Sequence, residues 1–329
     1  MNICRGEHDV RRGEHDVRRG ERNVRRGERL RSPIVGEVMQ LLIGVLEEGF
    51  IYALVSFGAY ITFKILDFPD MTVDGSFPFG MCITAVMIIN NVNPFITLPV
   101  SFIAGCVAGT ITGLIHVKLK VRDLLSGIIV MTSLYSINLR IAGRANLPIF
   151  QKASIFKMIP FASRDTFLGH LKVAVILLVI VIILKILLDL YLETKSGYLL
   201  RSVGDNETLV TTLGKNKENV KVLGLALANG FAALAGSIYA QHRGFFEISA
   251  GTGTLVIAVA NVIIGLQLMN AFRNMKPTTS VILGSILYRA CIGFALFLGM
   301  PSSDLKIITA ALLLIVIVLN TKKYKKIVK

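Results

Sequence analysis

Leu66-Asp67-Phe68-Pro69-Asp70-Met71-Thr72-Val73-Asp74-Gly75-Ser76-Phe77-Pro78-Phe79-Gly80 lies between two apolar runs, each long enough to cross a bilayer. Within fifteen residues it holds three carboxylates, two prolines and two glycines. Proline removes a backbone donor and disfavours helix in the residue before it, and a lone carboxylate is costly in hydrocarbon. Broken backbone survives at membrane depth only where protein buries it or where it lines a cavity. The stretch therefore reads as a discontinuous helix beside something polar.

The rest of the composition agrees with a membrane setting. Of 329 residues, 53% are hydrophobic and 17% charged, against roughly 25% charged in soluble domains. Mean hydropathy is +0.65. The net charge of +15 comes largely from Lys and Arg at the ends of apolar runs. That placement marks topology and argues against nucleic-acid binding. Cys82, Cys106 and Cys291 fall inside apolar segments and Cys4 near the N-terminus, with no metal-site or disulfide spacing.

Residues 5 to 31 repeat a heptapeptide, RGEHDVR twice, then RGERNVR, then a decaying RGERLR. With one valine per unit the repeat has no apolar seam and builds no core. Residues 1–38 are expected to be a low-complexity tail, disordered or not natively translated, with Met39 the candidate start and 39–329 a single membrane domain. From there the expected fold is all-α and polytopic, with about nine spans: 40–63, 75–92, 94–116, 123–142, 172–192, 220–241, 250–270, 278–298 and 304–320. Placing the C-terminus inside puts sixteen Lys and Arg of the connections and the C-terminal tail on the cytoplasmic side and eight outside, as the positive-inside rule asks. Nine crossings then leave the N-terminus outside. Two connections are long, 143–171 outside and 193–219 in the cytoplasm.

Asp67-x-x-Asp70-x-x-x-Asp74 has the look of a magnesium–diphosphate site, as in intramembrane prenyltransferases. Such chemistry needs a second acidic cluster facing the first. The candidate is Asp189-x-x-x-Glu193, which reads more simply as an end of helix neutralised by Lys185 four residues before Asp189. The cytoplasmic connection points elsewhere. In Ser196-Gly197-Tyr198-Leu199-Leu200-Arg201-Ser202-Val203-Gly204-Asp205-Asn206-Glu207, Gly-Asp-Asn marks a turn. Asn206 is a candidate N-cap, Glu207 favours the helix dipole, and Gly214 is a stop signal. A short amphipathic helix between two spans suits a soluble partner.

This Ser-Gly-x-x-x-Arg-x-Val-Gly-Asp-Asn pattern with its following Leu-Gly resembles the coupling loop of ATP-binding-cassette importer permeases. The group is the one serving branched-chain amino acids and simple sugars. Also similar are Glu47 to Leu54 running into the broken stretch, Val121 to Ile128, Ser133 to Arg140, Asn229-Gly230 and Gly251-Thr252-Gly253. The likeness runs in order from Met39 to about residue 320 and is nearest the branch assigned to aromatic or other hydrophobic amino acids. Where that group carries proline after Gly-Asp-Asn, this chain has Glu207.

The resemblance implies a permease homodimer or heterodimer in a bacterial inner membrane, two cytoplasmic ATP-binding subunits and an external solute-binding protein. It implies no cofactor on this chain and no enzyme activity, since ATP would be hydrolysed by the partner. Arg201, Gly204, Asp205, Asn206 and Gly214 match its coupling loop; Leu209, Val210 and Leu213 are the candidate apolar contacts, with Glu207 helping to set register.

For the pathway, paired interrupted segments are the signal. The second lies at Glu247-Ile248-Ser249-Ala250-Gly251-Thr252-Gly253-Thr254. Candidate pathway residues are Asp70, Thr72, Asp74, Gly75, Ser76, Asn138, Gly251, Thr252, Gly253 and Asn261. Helix N-termini would take the carboxylate of a zwitterionic amino acid and Asp74 or Asp70 its ammonium. Arg289 sits mid-span and needs a partner or water. The alternatives left open are the magnesium-dependent prenyltransferase and an ion-coupled secondary transporter.

Overall fold

The computed structural model describes residues 38–159, 167–212, 214, 216–271, 275–300, 307, 309–311 and 314. Val45–Lys329 is one packing unit, and the elements below belong to it apart from the first residues of α1; of Met1–Gly44 only the helical residues 38–44 are described. The repeat tail, Leu213 and most of the expected span 304–320 lie outside the described residues.

Helix α1 runs Val38–Ile65 and closes in a π-helical turn, Tyr60–Ile65. The chain is then non-helical until α2, Val73–Ile89. Helix α3 (Pro94–Leu119) starts on Asn93, whose side chain accepts from Phe95 N–H, with Pro94 in the first turn where a missing donor costs nothing. Helix α4 (Asp123–Ala142) stops at Gly143, at φ +70°. A short strand β1 (Asn146–Pro148) and the turn α5 (Ile155–Met158) follow. Helix α6 is Phe167–Leu192, α7 Lys195–Asp205 and α8 Glu207–Thr212. Helix α9 (Lys217–Arg243) is capped by Asn216 and ends at Gly244, at φ +79°. Then come β2 (Phe245–Glu247), a 3₁₀ turn (Ile248–Gly251), α10 (Thr254–Ala271) and α11 (Pro277–Phe297).

Among the described residues, seven helices are long and apolar enough to cross a bilayer, and α2, at 17 residues, is shorter. Eight of the expected spans thus have a helix at their place, and the ninth falls mostly on undescribed residues. Two features of the structure were not anticipated. Residues 195–205 are helical where a loop was expected. β1 and β2 pair antiparallel, Leu147 opposite Phe246, so the connection after α4 is stitched to the end of α9.

Helix α9 is the centre. Its face reads Gly224, Ala228, Ala232, Ala235 and Gly236, and small residues let backbones approach closely where hydrocarbon gives no hydrophobic drive. The approach is tight on two sides. A methyl built on Gly80 of α2 would sit 1.9 Å from Ala233 O, and one on Gly109 of α3 2.1 Å from Leu225 O. Helices α2 and α3 are therefore pressed onto α9, and that packing fixes the start of α2 and the break before it.

Candidate functional site

The break at 66–72 is held by side chains from three helices. Asp67, exposed, turns the chain at φ +52°. Asp70 is fully buried. Its carboxylate accepts from Thr72 N–H at 2.9 Å and from Asn229 Nδ2 at 2.6 Å. Ser76 Oγ donates to Asn229 Oδ1 at 2.7 Å, so Asn229 of α9 bridges the break and the first turn of α2. Thr72 Oγ1 lies 2.8 Å from Thr112 Oγ1 on α3. A buried carboxylate survives when its lone pairs are filled in this way.

Asp74 does something different. Its two carboxylate oxygens accept from Gly253 N–H at 2.9 Å and Leu255 N–H at 2.7 Å. These are orphan donors at the start of α10, which Asp74 caps from another helix. The second broken segment also lies against the first directly. Pro78 has no N–H, so Asp74 O lacks its ordinary helical partner, and Gly251 packs beside it. A methyl at Gly251 would lie 2.0 Å from Asp74 O and 2.6 Å from Pro78 Cδ. The two glycine-broken segments are clamped to each other.

A cavity of about 370 Å³ opens beside the clamp, between α2, α4 and the 3₁₀ turn. Among the described residues its walls are Met71, Asp74, Gly75, Pro78, Met131, Thr132, Tyr135, Asn138, Ile248, Ser249 and Thr252, none of them lysine or arginine. Asn138 is fully buried, and among the described residues neither atom of its side-chain amide has a hydrogen-bond partner.

Of the expected pathway residues, Asp74, Gly75, Asn138 and Thr252 border this cavity. Asp70, Thr72 and Ser76 are buried and tied to Asn229 and Thr112, away from it. Gly251 and Gly253 serve the clamp. Asn261 lies elsewhere, its amide nitrogen donating to Ser56 Oγ of α1 at 3.0 Å. The α10 N-terminus is capped by Asp74, and Asp70 is not among the described residues that border the cavity. Thr132 and Tyr135 also border the cavity and were not among the expected residues, although their hydroxyls stand three residues apart on α4.

The acidic stretch does not assemble a metal site. Asp67, Asp70 and Asp74 go to solvent, to Asn229 and to α10 respectively. At the expected second cluster, Asp189 pairs with Lys185 at 2.9 Å and accepts from Thr278 Oγ1 at 2.6 Å. Glu193 binds Lys276 at 3.1 Å, and that hydrogen bond holds the exposed Lys276 ammonium above its usual range.

The segment expected to be cytoplasmic forms two consecutive helices, α7 and α8. On α7, Gly197, Leu200 and Val203 turn inward, while Tyr198, Arg201 and Asp205 are exposed. A methyl at Gly204 would lie 1.7 Å from Ile65 O, so α7 abuts the end of α1. Asn206 Oδ1 accepts from Thr208 N–H at 3.0 Å and caps α8, and Gly214 follows at φ +68°. Val210, expected to face a partner, is fully buried in its own chain, because α8 folds back onto the bundle. Leu213 and the side chains of Glu207 and Leu209 lie outside the described residues.

Arg289 has its partner, Glu48 of α1, at 2.9 Å, and stacks over the Tyr52 ring at 3.9 Å. Arg243 of α9 binds the same carboxylate, and His242 binds Glu47 at 2.9 Å. The glutamates are thus part of a charged knot joining α1, α9 and α11.

Residues 41–319 match the family described as branched-chain amino acid transport system, permease component. The chain belongs to this permease family. A tyrosine transport system permease protein of Clostridioides difficile is 44% identical over 276 residues, covering 84% of this chain and 90% of the relative. A ribose import permease protein of Haemophilus influenzae is 26% identical, covering 84% of each chain. A probable branched-chain amino acid transport permease protein of Methanocaldococcus jannaschii is 28% identical over 68% of this chain and 74% of its own. The protein is accordingly a multi-pass membrane permease subunit of an ATP-binding-cassette importer and not itself an enzyme. The prenyltransferase and secondary-transporter alternatives fall with that assignment.

Proposed function

We propose that this permease carries an aromatic amino acid of the tyrosine kind inward, in a complex with cytoplasmic ATP-binding subunits and an external solute-binding protein. The observation that carries the solute class is the 44% identity to a tyrosine permease over nearly the whole domain. The cavity supports it. Met71, Pro78, Met131 and Ile248 offer an apolar wall, Thr132, Tyr135 and Asn138 offer neutral polar groups, and no basic residue is present to favour an anionic side chain. A carboxylate has about four lone-pair sites, and Asp74 uses one per oxygen in the clamp. The remainder suit the ammonium of a zwitterion.

The clamp supports a mechanism of alternating access. Both breaks are read as discontinuous membrane helices, with the C-terminus in the cytoplasm and about nine crossings. The α7–α8 segment seats in a groove of the ATP-binding subunit through exposed residues such as Tyr198, Arg201 and Asp205. Gly204 passes movement of α7 directly to the end of α1 and hence to the break. Nucleotide-driven closure of the partners then rocks two permease chains as rigid bodies. The chain has no glycine-rich phosphate loop, so hydrolysis belongs to the partner. Uptake of a panel of labelled amino acids by the reconstituted complex tests the reading. Accumulation of aromatic amino acids is expected; accumulation confined to sugars or to charged amino acids would overturn it.

A further inference from the structure

We infer that Asn138 sets the preference of this permease for tyrosine over phenylalanine, by bonding the phenolic hydroxyl of a solute whose ammonium lies on Asp74. The inference rests on the solute reading above and adds how the solute lies in the cavity and which residue meets its far end.

The polar groups of the cavity wall are not equivalent. Thr132 Oγ1 donates to Ile128 O at 2.9 Å and Ser249 Oγ to Glu247 at 2.6 Å, so both hydrogens are already used. Tyr135 and Thr252 are exposed. Asn138 is the fully buried polar side chain among the described wall residues, and among them its Oδ1 and Nδ2 both lack a partner. Buried amides are nearly always bonded, because an unpaired donor or acceptor forfeits its hydration. An asparagine that served only to tie helices together would have its partner on a neighbouring helix. Asn229 is such a case, held between Asp70 and Ser76. Asn138 instead keeps a donor and an acceptor unspent beside an open cavity.

Its place along the cavity fixes what it can meet. A methyl built on Gly75 would lie 3.0 Å from Met131 Cα, which puts Asp74 near the level of Met131. Further along the same two helices, Cys82 Sγ donates to the backbone Asn138 O at 3.5 Å. Helices α2 and α4 therefore run side by side, and Asn138 stands two helical turns, ~10 Å, beyond the level of Asp74. Pro78 lies between those levels on α2, and Met131 and Ile248 add to the apolar wall. A carboxylate at one level, an apolar stretch and a neutral amide at the other suit an amino acid with an apolar body and a hydroxyl tip. Tyrosine has that form, with one hydrogen bond at each end. The amide can donate and accept, as a phenol can. Phenylalanine presents only carbon there and leaves the amide unpaired. A site built to bond a hydroxyl rejects the analogue that lacks it far more strongly than an apolar pocket rejects an added one.

The test uses the permease purified with its ATP-binding subunits and without the solute-binding protein, so that the choice measured is the permease's own. Tyrosine and phenylalanine are each titrated against thermal unfolding of the complex, since a ligand that binds the folded state raises its melting point. In the parent, tyrosine is expected to act at concentrations at least about tenfold lower than phenylalanine. Asn138→Leu and the smaller Asn138→Ala are expected to bring the two titrations together, weakening tyrosine and leaving phenylalanine where it was. Because the amide has no partner in the empty chain, Asn138→Leu without solute should melt no lower than the parent. A gap that survives in both variants, or a parent on which the two amino acids act alike, overturns the inference. So does Asn138→Leu melting well below the parent with both amino acids weakened together, the mark of a structural asparagine. Uptake by the intact importer separates the two readings. Aromatic uptake with no gap at Asn138 spares the solute reading and refutes the inference. No aromatic uptake removes the solute reading and the inference with it.

Discussion

Replacing Asp74 by alanine should loosen the clamp between the two broken segments. The loss is two hydrogen bonds from backbone N–H to a carboxylate, at 2.9 and 2.7 Å. Bonds to a charged group contribute about 1.5–3 kcal/mol each, so Asp74→Ala should cost ~3–6 kcal/mol. A chain of this size shifts by about 2 °C per kcal/mol, which predicts a melting point ~6–12 °C lower. Asp74→Asn keeps one acceptor oxygen and should lose roughly half of that. The assay is thermal unfolding of the detergent-purified chain, followed by a thiol-reactive dye on the buried Cys82. If Asp74→Ala melts with the parent, or if asparagine is worse than alanine, Asp74 is not the cap of α10 and the clamp is wrong.

Three further outcomes follow from the same geometry. Gly251→Ala drives a methyl to 2.0 Å from Asp74 O, and overpacking of this kind costs about 1–3 kcal/mol; uptake should fall even where the protein still inserts, as measured in membrane vesicles. Asn229→Leu strips the buried Asp70 of its 2.6 Å donor, which should cost about 3–5 kcal/mol because the charge is left uncompensated; the double variant with Asp70→Asn should recover much of the loss in the same melting assay. Gly204→Val, placing a side chain where the first carbon already lies 1.7 Å from Ile65 O, should unseat α7 from α1. Solute-stimulated ATP hydrolysis by the assembled complex should then drop toward its unstimulated rate.

Much of the architecture was legible because it is local. Asp123 and Gly143 bracket an apolar run, and α4 spans Asp123–Ala142 as expected. Asn206 and Gly214 marked a short helix, and Asn206 does cap α8. The misreading of 195–205 as loop has a physical cause. Gly197 and Gly204 look like breakers, yet they are kept small so that α7 can touch Leu192 and Ile65. The clamp could not be read locally, since Asp74 bonds residues 179 and 181 positions away. Asn229 was visible only as part of a resemblance, and its partners Asp70 and Ser76 lie more than 150 residues earlier. Arg289 needed a partner on general grounds, but Glu48 is brought to it by the packing of α1 against α11.

The central claim is that this permease, with its clamped broken helices, is the path by which an ATP-driven importer moves an aromatic amino acid. The most direct measurement is ATP-dependent accumulation of labelled tyrosine in proteoliposomes holding the permease with its ATP-binding and solute-binding partners. Accumulation that requires ATP, is competed by phenylalanine and is untouched by arginine or glutamate is the expected result. A complex that hydrolyses ATP in response to another solute, and accumulates no aromatic amino acid, would contradict the account.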